Sequence, residues 1–151
     1  GHDLIERLIT AFPDTIVGIK DSAGDIENMK AMVNRFPGFS VLAGADPLLL
    51  PLLQNGGAGC ITATSNLRAD ALRVVWDNWQ DPAQAETVSA AQDRINAWRE
   101  LTNSYVQLPT VKAMVSKARG NQDWCNLRPP LVPLTETERN TVWSNMTDLE
   151  Q

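Results

Sequence analysis

A lysine that closes an apolar run is the residue in this chain best suited to covalent chemistry. Lys20 follows the apolar run 15–19 and precedes a polar, glycine-bearing turn over 21–25. The run predicts a strand, so the amine is expected at the mouth of a sheet or barrel. Apolar walls at such a mouth disfavour the ammonium form and leave an amine that can attack a carbonyl carbon. The pattern makes Lys20 a candidate Schiff-base lysine, although a lysine that ends a strand is more often a solvated cap.

Composition and charge narrow the classes of partner. The chain has 151 residues, a formal net charge of −5 and an isoelectric point near 4.8. Its basic residues are scattered singly, whereas nucleic acids and anionic membranes select clustered Lys and Arg. No apolar run approaches the roughly 20 residues of a membrane span, and the first residues lack the order of a secretory signal. We therefore predict neither a nucleic-acid nor a membrane partner.

Cysteine and histidine usage argues against several kinds of catalytic site. Cys60 and Cys125 lie far apart and match no metal-ligand spacing. His2 is the only histidine, and we interpret it as a remnant of a purification tag without a role. With one histidine, Ser-His-Asp and Cys-His catalysis are disfavoured and a histidine metal site is excluded. The sequence thus predicts no metal and no cofactor. The two isolated cysteines also predict that the protein is located in a reducing cytoplasm.

Three short apolar runs alternate with helical patterns in the first half of the chain. The predicted strands cover 15–20, 39–44 and 59–64. The predicted helices cover 3–12, 26–36, 48–55 and 69–79. Apolar strands joined by helices are typical of a parallel sheet buried on both faces, which places the chain in the α/β class.

Two aspartates are predicted to begin helices. Asp25 stands directly before the second predicted helix. Asp46 is followed by Pro47, and proline is favoured at the first helical position.

The strands stop after residue 79, and the remaining sequence predicts three helices. These cover about 82–103, 109–119 and 136–146, and the last begins with a capping box made by Thr135 and Glu138. We divide the chain into a partial barrel at 1–80 and a helical extension at 81–151.

The small number of strands predicts that more of the fold lies elsewhere. Three parallel strands in series leave two open sheet edges, which natural proteins protect. A (β/α)8 barrel needs about 250 residues. We therefore expect further strands before residue 1 in the full protein. The alternatives are a compact three-stranded domain and a half-barrel that self-associates.

Five segments in order are similar to one enzyme family. They are 18–25 (GIKDSAGD), 42–46 (LAGAD), 56–66 (GGAGCITATSN), 108–113 (LPTVKA) and 128–131 (RPPL). Together they resemble the dihydrodipicolinate synthase and N-acetylneuraminate lyase family of class I pyruvate-dependent aldolases. The first segment resembles its Schiff-base lysine motif, the next two the ends of its seventh and eighth strands, and the last two its C-terminal extension.

The resemblance implies a fold and an activity. The fold would be strands six to eight of a (β/α)8 TIM barrel with a three-helix extension, as part of a homo-oligomer, either a dimer or a tetramer. The activity would be condensation or release of pyruvate, or another 2-oxo acid, with an aldehyde. The reaction would pass through an imine on Lys20 and need no cofactor. The alternative is a non-catalytic half-barrel or regulatory assembly module of the same fold.

The resemblance also implies residues that bind substrate. Gly44 would let a ligand approach the backbone, Ile61 would turn its backbone carbonyl toward the imine, and Ala63 would line the floor or rim. Asp46, first of all a helix cap, would also touch a sugar tail as in the sialic acid lyases. For Gly44 and Ile61 the alternatives are a tight turn and plain strand core.

Several features depart from the family or are missing from this chain. Ala63 stands where the sialic acid lyases carry a serine, and Pro47 stands where they carry an acid. Both differences argue against a sialic acid as the substrate. Tyr105, the only tyrosine, lies in a late helix and does not match the family's proton-shuttling tyrosine. That tyrosine and the loop that binds the pyruvate carboxylate belong to the half of the fold that this chain lacks. We therefore expect little or no turnover from these residues alone.

Overall fold

Three short parallel strands form the sheet in the first half of the molecule. In the computed structural model, which describes residues 1–150, these are β1 (Gly18–Asp21), β2 (Ser40–Ala43) and β3 (Gly59–Cys60). They lie side by side in the order β1-β2-β3. Lys20 is opposite Leu42, and Leu42 is opposite Gly59. The three strands therefore end level with one another at one edge of the sheet.

Helices connect the strands and make up the second half. They are α1 (His2–Ala11), α2 (Ile26–Arg35), α3 (Leu49–Leu53), α4 (Ser65–Asn78), α5 (Ala85–Thr102), α6 (Gln107–Arg119) and α7 (Glu136–Leu149). A 3-10 turn at Asp46–Leu48 precedes α3, and another at Pro82–Gln84 precedes α5. A third, at Gln122–Cys125, follows α6. The predicted order of helices and strands, and the three helices after residue 79, are confirmed. Within residues 1–150, no helix is both long and apolar enough to cross a membrane.

The helices cover only one face of the sheet. Val41 and Ala43 are buried in a cluster to which α2 contributes Met29 and Met32 and α3 contributes Leu52. The alternate strand residues Gly18, Lys20 and Ser40 are exposed. Successive side chains of a strand point to opposite faces, so this alternation separates a helix-covered face from an open one. The prediction of a sheet buried on both faces is therefore wrong for this chain.

All three strands are shorter than predicted, and the start of β1 and the end of β3 differ most from the predicted bounds. Thr15 and Ile16 donate their backbone N–H groups to the Phe12 carbonyl, at 3.1 and 2.9 Å, in a turn that closes α1. β1 therefore begins at Gly18 and not at residue 15. β3 ends at Cys60 because the chain then turns into α4, which begins at Ser65 and not at residue 69.

The helical extension has its own core and packs against α4. Trp98 of α5 is buried with Met114 of α6 and with Val142 and Met146 of α7. α5 also runs along α4, so the extension is attached to the sheet half by a helix pair.

The predicted capping box at the start of α7 is present. The Thr135 hydroxyl accepts from the Glu138 N–H at 3.3 Å, and the Glu138 carboxylate accepts from the Thr135 N–H at 2.8 Å. The bond from the Thr135 N–H and a second bond from the Thr135 hydroxyl group, at 2.8 Å, lower the pKa of Glu138, because both stabilise the ionised carboxylate.

The cap of α2 offers a test of the local folding rules. Asp25 accepts from the N–H groups of Glu27 and Asn28 at 3.0 and 3.2 Å, as predicted for an N-cap. We expect Asp25→Ala to lower the free energy of unfolding by about 1 kcal/mol, because two helix N–H groups lose their acceptor. Urea denaturation measures this, with Asp14→Ala at an exposed loop position as the control. Equal stability of the two variants would show that the cap contributes nothing.

Candidate functional site

Lys20 lies on the open face of the sheet, at the carboxyl end of β1. Its side chain is exposed, and the strand register places it beside Leu42. The turn that follows it is fixed by Asp21, which is buried and accepts from the Ala23 N–H and the Asn28 side chain, both at 2.8 Å. Ligands of open α/β sheets bind outside the carboxyl ends of the strands, and Lys20 stands at that edge.

A contact to His2 extends this polar chain. The His2 Nε2 atom lies 2.9 Å from the Oδ1 atom of Asn28, whose amide group binds Asp21. The His2 ring also meets the edge of Phe36. The sequence analysis interpreted His2 as a tag remnant without a role. Its partner lies 26 residues away in the chain, and no local pattern indicates such a contact.

Gly44 allows the turns after β1 and β2 to approach each other. Its N–H donates to the Asp21 carbonyl at 2.7 Å. A Cβ atom at this position would lie 2.4 Å from the Ser22 Oγ atom and 2.7 Å from the Asp21 carbonyl oxygen. The structure thus shows a packing reason for glycine, and a ligand at this backbone stays a prediction.

Asp46 joins the turn after β2 to the loop after β3. It is 0% exposed, and its carboxylate accepts from the hydroxyl groups of Thr62 at 2.5 Å and Thr64 at 3.0 Å. The prediction that Asp46 caps a helix is wrong: it lies inside the 3-10 turn, whose N-terminal flanking residue is Ala45. The hydroxyl groups of Thr62 and Thr64 donate to its carboxylate inside the protein. A carboxylate that capped a helix at the solvent surface would have no such buried donors. Contact of Asp46 with a substrate stays a prediction, and here both of its oxygens are occupied.

Two side chains of α5 reach the same aspartate. The Arg99 Nε atom lies 3.9 Å from Asp46 Oδ2, and the Gln92 amide donates to the Asp46 backbone carbonyl at 3.1 Å. Sequence reasoning missed both residues, because they lie within an ordinary helix and their contacts are with residues far away in the chain.

Ile61 and Ala63 lie in the loop after β3. The Ile61 N–H donates to the Ala43 carbonyl at 2.9 Å, so its backbone continues the strand pairing past Cys60. Its side chain is 51% exposed, so the alternative of plain strand core is wrong. Ala63 is half-buried. The site residues predicted from the sequence thus lie at the end of β1 and in the segments after β2 and β3, at the same edge of the sheet.

Cys60 is a thiol held in its neutral form. Burial and, secondly, the nearby Asp46 charge raise its pKa to about 11, while a hydrogen bond with Thr62 acts in the opposite direction. A thiolate is the nucleophilic form of cysteine, so Cys60 is unsuited to nucleophilic catalysis. Among the residues described, no group of three or more His, Cys, Asp and Glu side chains could hold a metal ion.

Comparison with known proteins identifies relatives along nearly the whole chain. The profile of the Dihydrodipicolinate synthetase family matches residues 2–149. An uncharacterized DapA-like lyase of Chloroflexus aurantiacus is 33% identical over 135 residues, which cover 89% of this chain and 44% of that protein. The 4-hydroxy-tetrahydrodipicolinate synthase of Bacillus subtilis is 31% identical over 144 residues, or 95% of this chain and 48% of the synthase.

Solved structures agree with these sequence matches. The dihydrodipicolinate synthase of Agrobacterium tumefaciens superimposes with a TM-score of 0.78 at 25% identity, covering 99% of this chain and 48% of that one. YagE of E. coli K12, a prophage protein of the dihydrodipicolinic acid synthase family solved with pyruvate, gives a TM-score of 0.84 at 21% identity, covering 98% and 50%. The chain spans about half the length of the relatives it matches.

The contacts of Asp46 predict a stability effect at Thr64. Thr64→Val keeps the shape of the side chain but removes the hydroxyl group that donates to Oδ2. We expect the free energy of unfolding to fall by about 1–3 kcal/mol, because a buried charged acceptor loses a hydrogen bond. Urea denaturation measures the loss, and Thr87→Val, at an exposed position of α5, should change it by less than about 0.5 kcal/mol. Matching curves for both variants would rule out a stabilising role for the Asp46 contacts.

The raised pKa of Cys60 predicts slow, pH-dependent alkylation. In a Cys125→Ser background, we expect the rate of reaction with iodoacetamide to rise about tenfold per pH unit from pH 7.5 to 9.5, since the thiolate fraction rises tenfold per unit below the pKa. The protein unfolded in urea serves as the control and should react faster and level off near pH 9. A plateau at the same pH in the folded protein would contradict the assignment.

Proposed function

Because the chain belongs to the dihydrodipicolinate synthetase family, we propose that it carries the covalent step of a pyruvate-dependent lyase or synthase, with Lys20 as the residue that forms the imine. The relatives matched over this chain are lyases and synthases, which supports the reaction class. The chain covers about half of each, so the activity of a whole enzyme is part of the proposal.

One observation carries the choice of lysine. The chain has four lysines, and three of them have partners: Lys30 pairs with Glu27 at 2.8 Å, Lys112 binds the Asn126 carbonyl, and Lys117 binds the Trp143 carbonyl and the Thr147 hydroxyl group. Lys20 alone lies on a strand, and its amine has no hydrogen-bond partner or ion pair within residues 1–150. It is therefore the lysine whose amine is available to a substrate at the carboxyl edge of the sheet.

The chemistry turns the amine into a protonated imine, which serves as a temporary electron sink. The neutral Lys20 amine attacks the keto carbon of pyruvate and water leaves, which gives a protonated imine. The imine withdraws electrons from the neighbouring methyl carbon, so that carbon loses a proton and becomes an enamine. The enamine carbon then bonds to the carbonyl carbon of an aldehyde, whose oxygen takes up a proton while the imine re-forms. Water hydrolyses that imine, which releases the product and restores the lysine amine. No cofactor enters these steps, and the partners are pyruvate, or another 2-oxo acid, and an aldehyde.

The other site residues have supporting parts in this proposal. Gly44, Ile61 and Ala63 line the mouth beside Lys20, since they follow β2 and β3 at the same edge. Asp46 is fully buried, so its first task is to hold the two loops, and contact with the tail of the second substrate would need the site to open around it. We assign β1, β2 and β3 to strands six, seven and eight of a (β/α)8 barrel. We further propose that the full protein forms a homo-oligomer and is located in a reducing cytoplasm.

Deuterium incorporation into pyruvate tests the proposal without knowledge of the aldehyde. An enamine takes up deuterium from D2O at its methyl carbon, and proton NMR measures the loss of the methyl signal. In the protein at its natural length, we expect Lys20→Arg to lower the exchange rate at least about a thousandfold, because arginine keeps the charge but cannot form the imine. The matched control, Lys30→Arg, should exchange at the parent rate. Equal exchange by Lys20→Arg and its parent would overturn the assignment.

The open face of the sheet predicts that residues 1–151 alone are inactive. Water reaches Lys20 freely, and the sheet offers a bound 2-oxo acid walls on one side only. We expect no pyruvate exchange above buffer for the isolated chain, and exchange on addition of the N-terminal half of the Bacillus subtilis relative. Rapid exchange by the chain alone would contradict this.

A further inference from the structure

We propose that α5 positions the mouth of the site, with Gln92 and Arg99 as positioning residues that hold the turn after β2 and, through Asp46, the loop after β3. The effect on substrate binding rests on the proposed function. The effect on loop mobility does not.

Gln92 binds both ends of the turn that follows β2. It is 7% exposed, and its amide nitrogen donates to the Asp46 carbonyl at 3.1 Å. Its amide oxygen accepts from the Leu50 N–H at 3.3 Å. That N–H lies in the first turn of α3, where helix N–H groups have no partner within the helix. Gln92 therefore supplies the acceptor that α3 lacks.

The position of Gln92 is itself fixed from the same helix. Its amide nitrogen also donates to Asn96 Oδ1 at 2.9 Å. Residues 92, 96 and 99 are spaced four and three apart, which places them on one face of α5. Arg99 then lies 3.9 Å from the Asp46 carboxylate and contributes positive charge to a carboxyl group that water does not reach.

The contacts of α5 extend past Asp46 to the second loop. The carboxylate that Arg99 faces is the acceptor for the hydroxyl groups of Thr62 and Thr64. Those threonines flank Ala63 and follow Ile61, so the loop on the far side of the mouth is tied to the same point. A buried polar network of this kind rigidifies the structure around it when each member has a partner. The extension thereby sets the distance between the two loops.

Gln92→Met tests the claim because methionine has nearly the same length and no donor or acceptor of comparable strength. The matched control is Gln80→Met, at an exposed position before α5. We measure deuterium uptake by mass spectrometry and the pyruvate exchange kinetics, both on the protein at its natural length. We expect faster uptake in peptides spanning 45–50 and 61–65, with uptake in α2 unchanged. The KM for pyruvate should rise about five- to tenfold, with kcat within about twofold, since one or two buried hydrogen bonds are lost.

A second pair of variants keeps the test decisive if Gln92→Met fails to fold. Arg99→Met should raise uptake at 61–65 and the KM, and Arg99→Lys should restore both in part, because it returns a positive charge. Arg94→Met, exposed on the same helix, is its control.

Each outcome of these measurements decides between named alternatives. Unchanged uptake and KM in Gln92→Met, or uptake raised equally in α2 with kcat and KM both altered, would overturn the positioning role. The absence of pyruvate exchange in the parent protein would defeat the proposed function, and the uptake at 45–50 and 61–65 would then decide the inference by itself.

Discussion

A carboxylate that is removed from water must be given hydrogen-bond donors or positive charge, or it destabilises the fold. Asp46 is such a group, and its partners come from the loop after β3 and from α5. Local secondary structure alone would leave these segments free to move relative to one another. Because the carboxylate needs them all, it joins the end of the sheet that bears Lys20 to the helical extension, in addition to the apolar packing of α5 against α3 and α4.

The arrangement of the sheet explains why this end of the molecule is suited to chemistry. The helices bury one face of the strands, and the open face carries Lys20 at its carboxyl edge. The turn after Lys20 is fixed by the buried Asp21, and the neighbouring turn approaches it closely at Gly44. The backbone that carries the Lys20 side chain is therefore held in place on both sides. A nucleophile that must reach the keto carbon of a small acid requires such a fixed position.

Local sequence patterns predicted much of this fold, and long-range contacts explain the exceptions. The α/β order, the cap at Asp25 and the capping box at Thr135 depend on neighbours within a few residues, and all three are confirmed. Asp46 has the same local sequence signal for a helix cap. Its carboxylate instead binds two threonines that lie 16 and 18 residues away, because these hydroxyl groups are buried beside it. Gln92 contacts residues 42 and 46 positions away, and no pattern in a single sequence indicates such a pair. Family resemblance singled out Lys20, and its exposure on the open face became visible only in the structure.

The central claim is that the Lys20 amine bonds covalently to pyruvate. The most direct test is to incubate the protein at its natural length with pyruvate and sodium borohydride, which reduces an imine to a stable amine, and then to map the modified peptide by mass spectrometry. We expect one pyruvate-derived increment per chain, on the peptide that contains Lys20. An unmodified chain, or an increment on Lys30, Lys112 or Lys117, would contradict it.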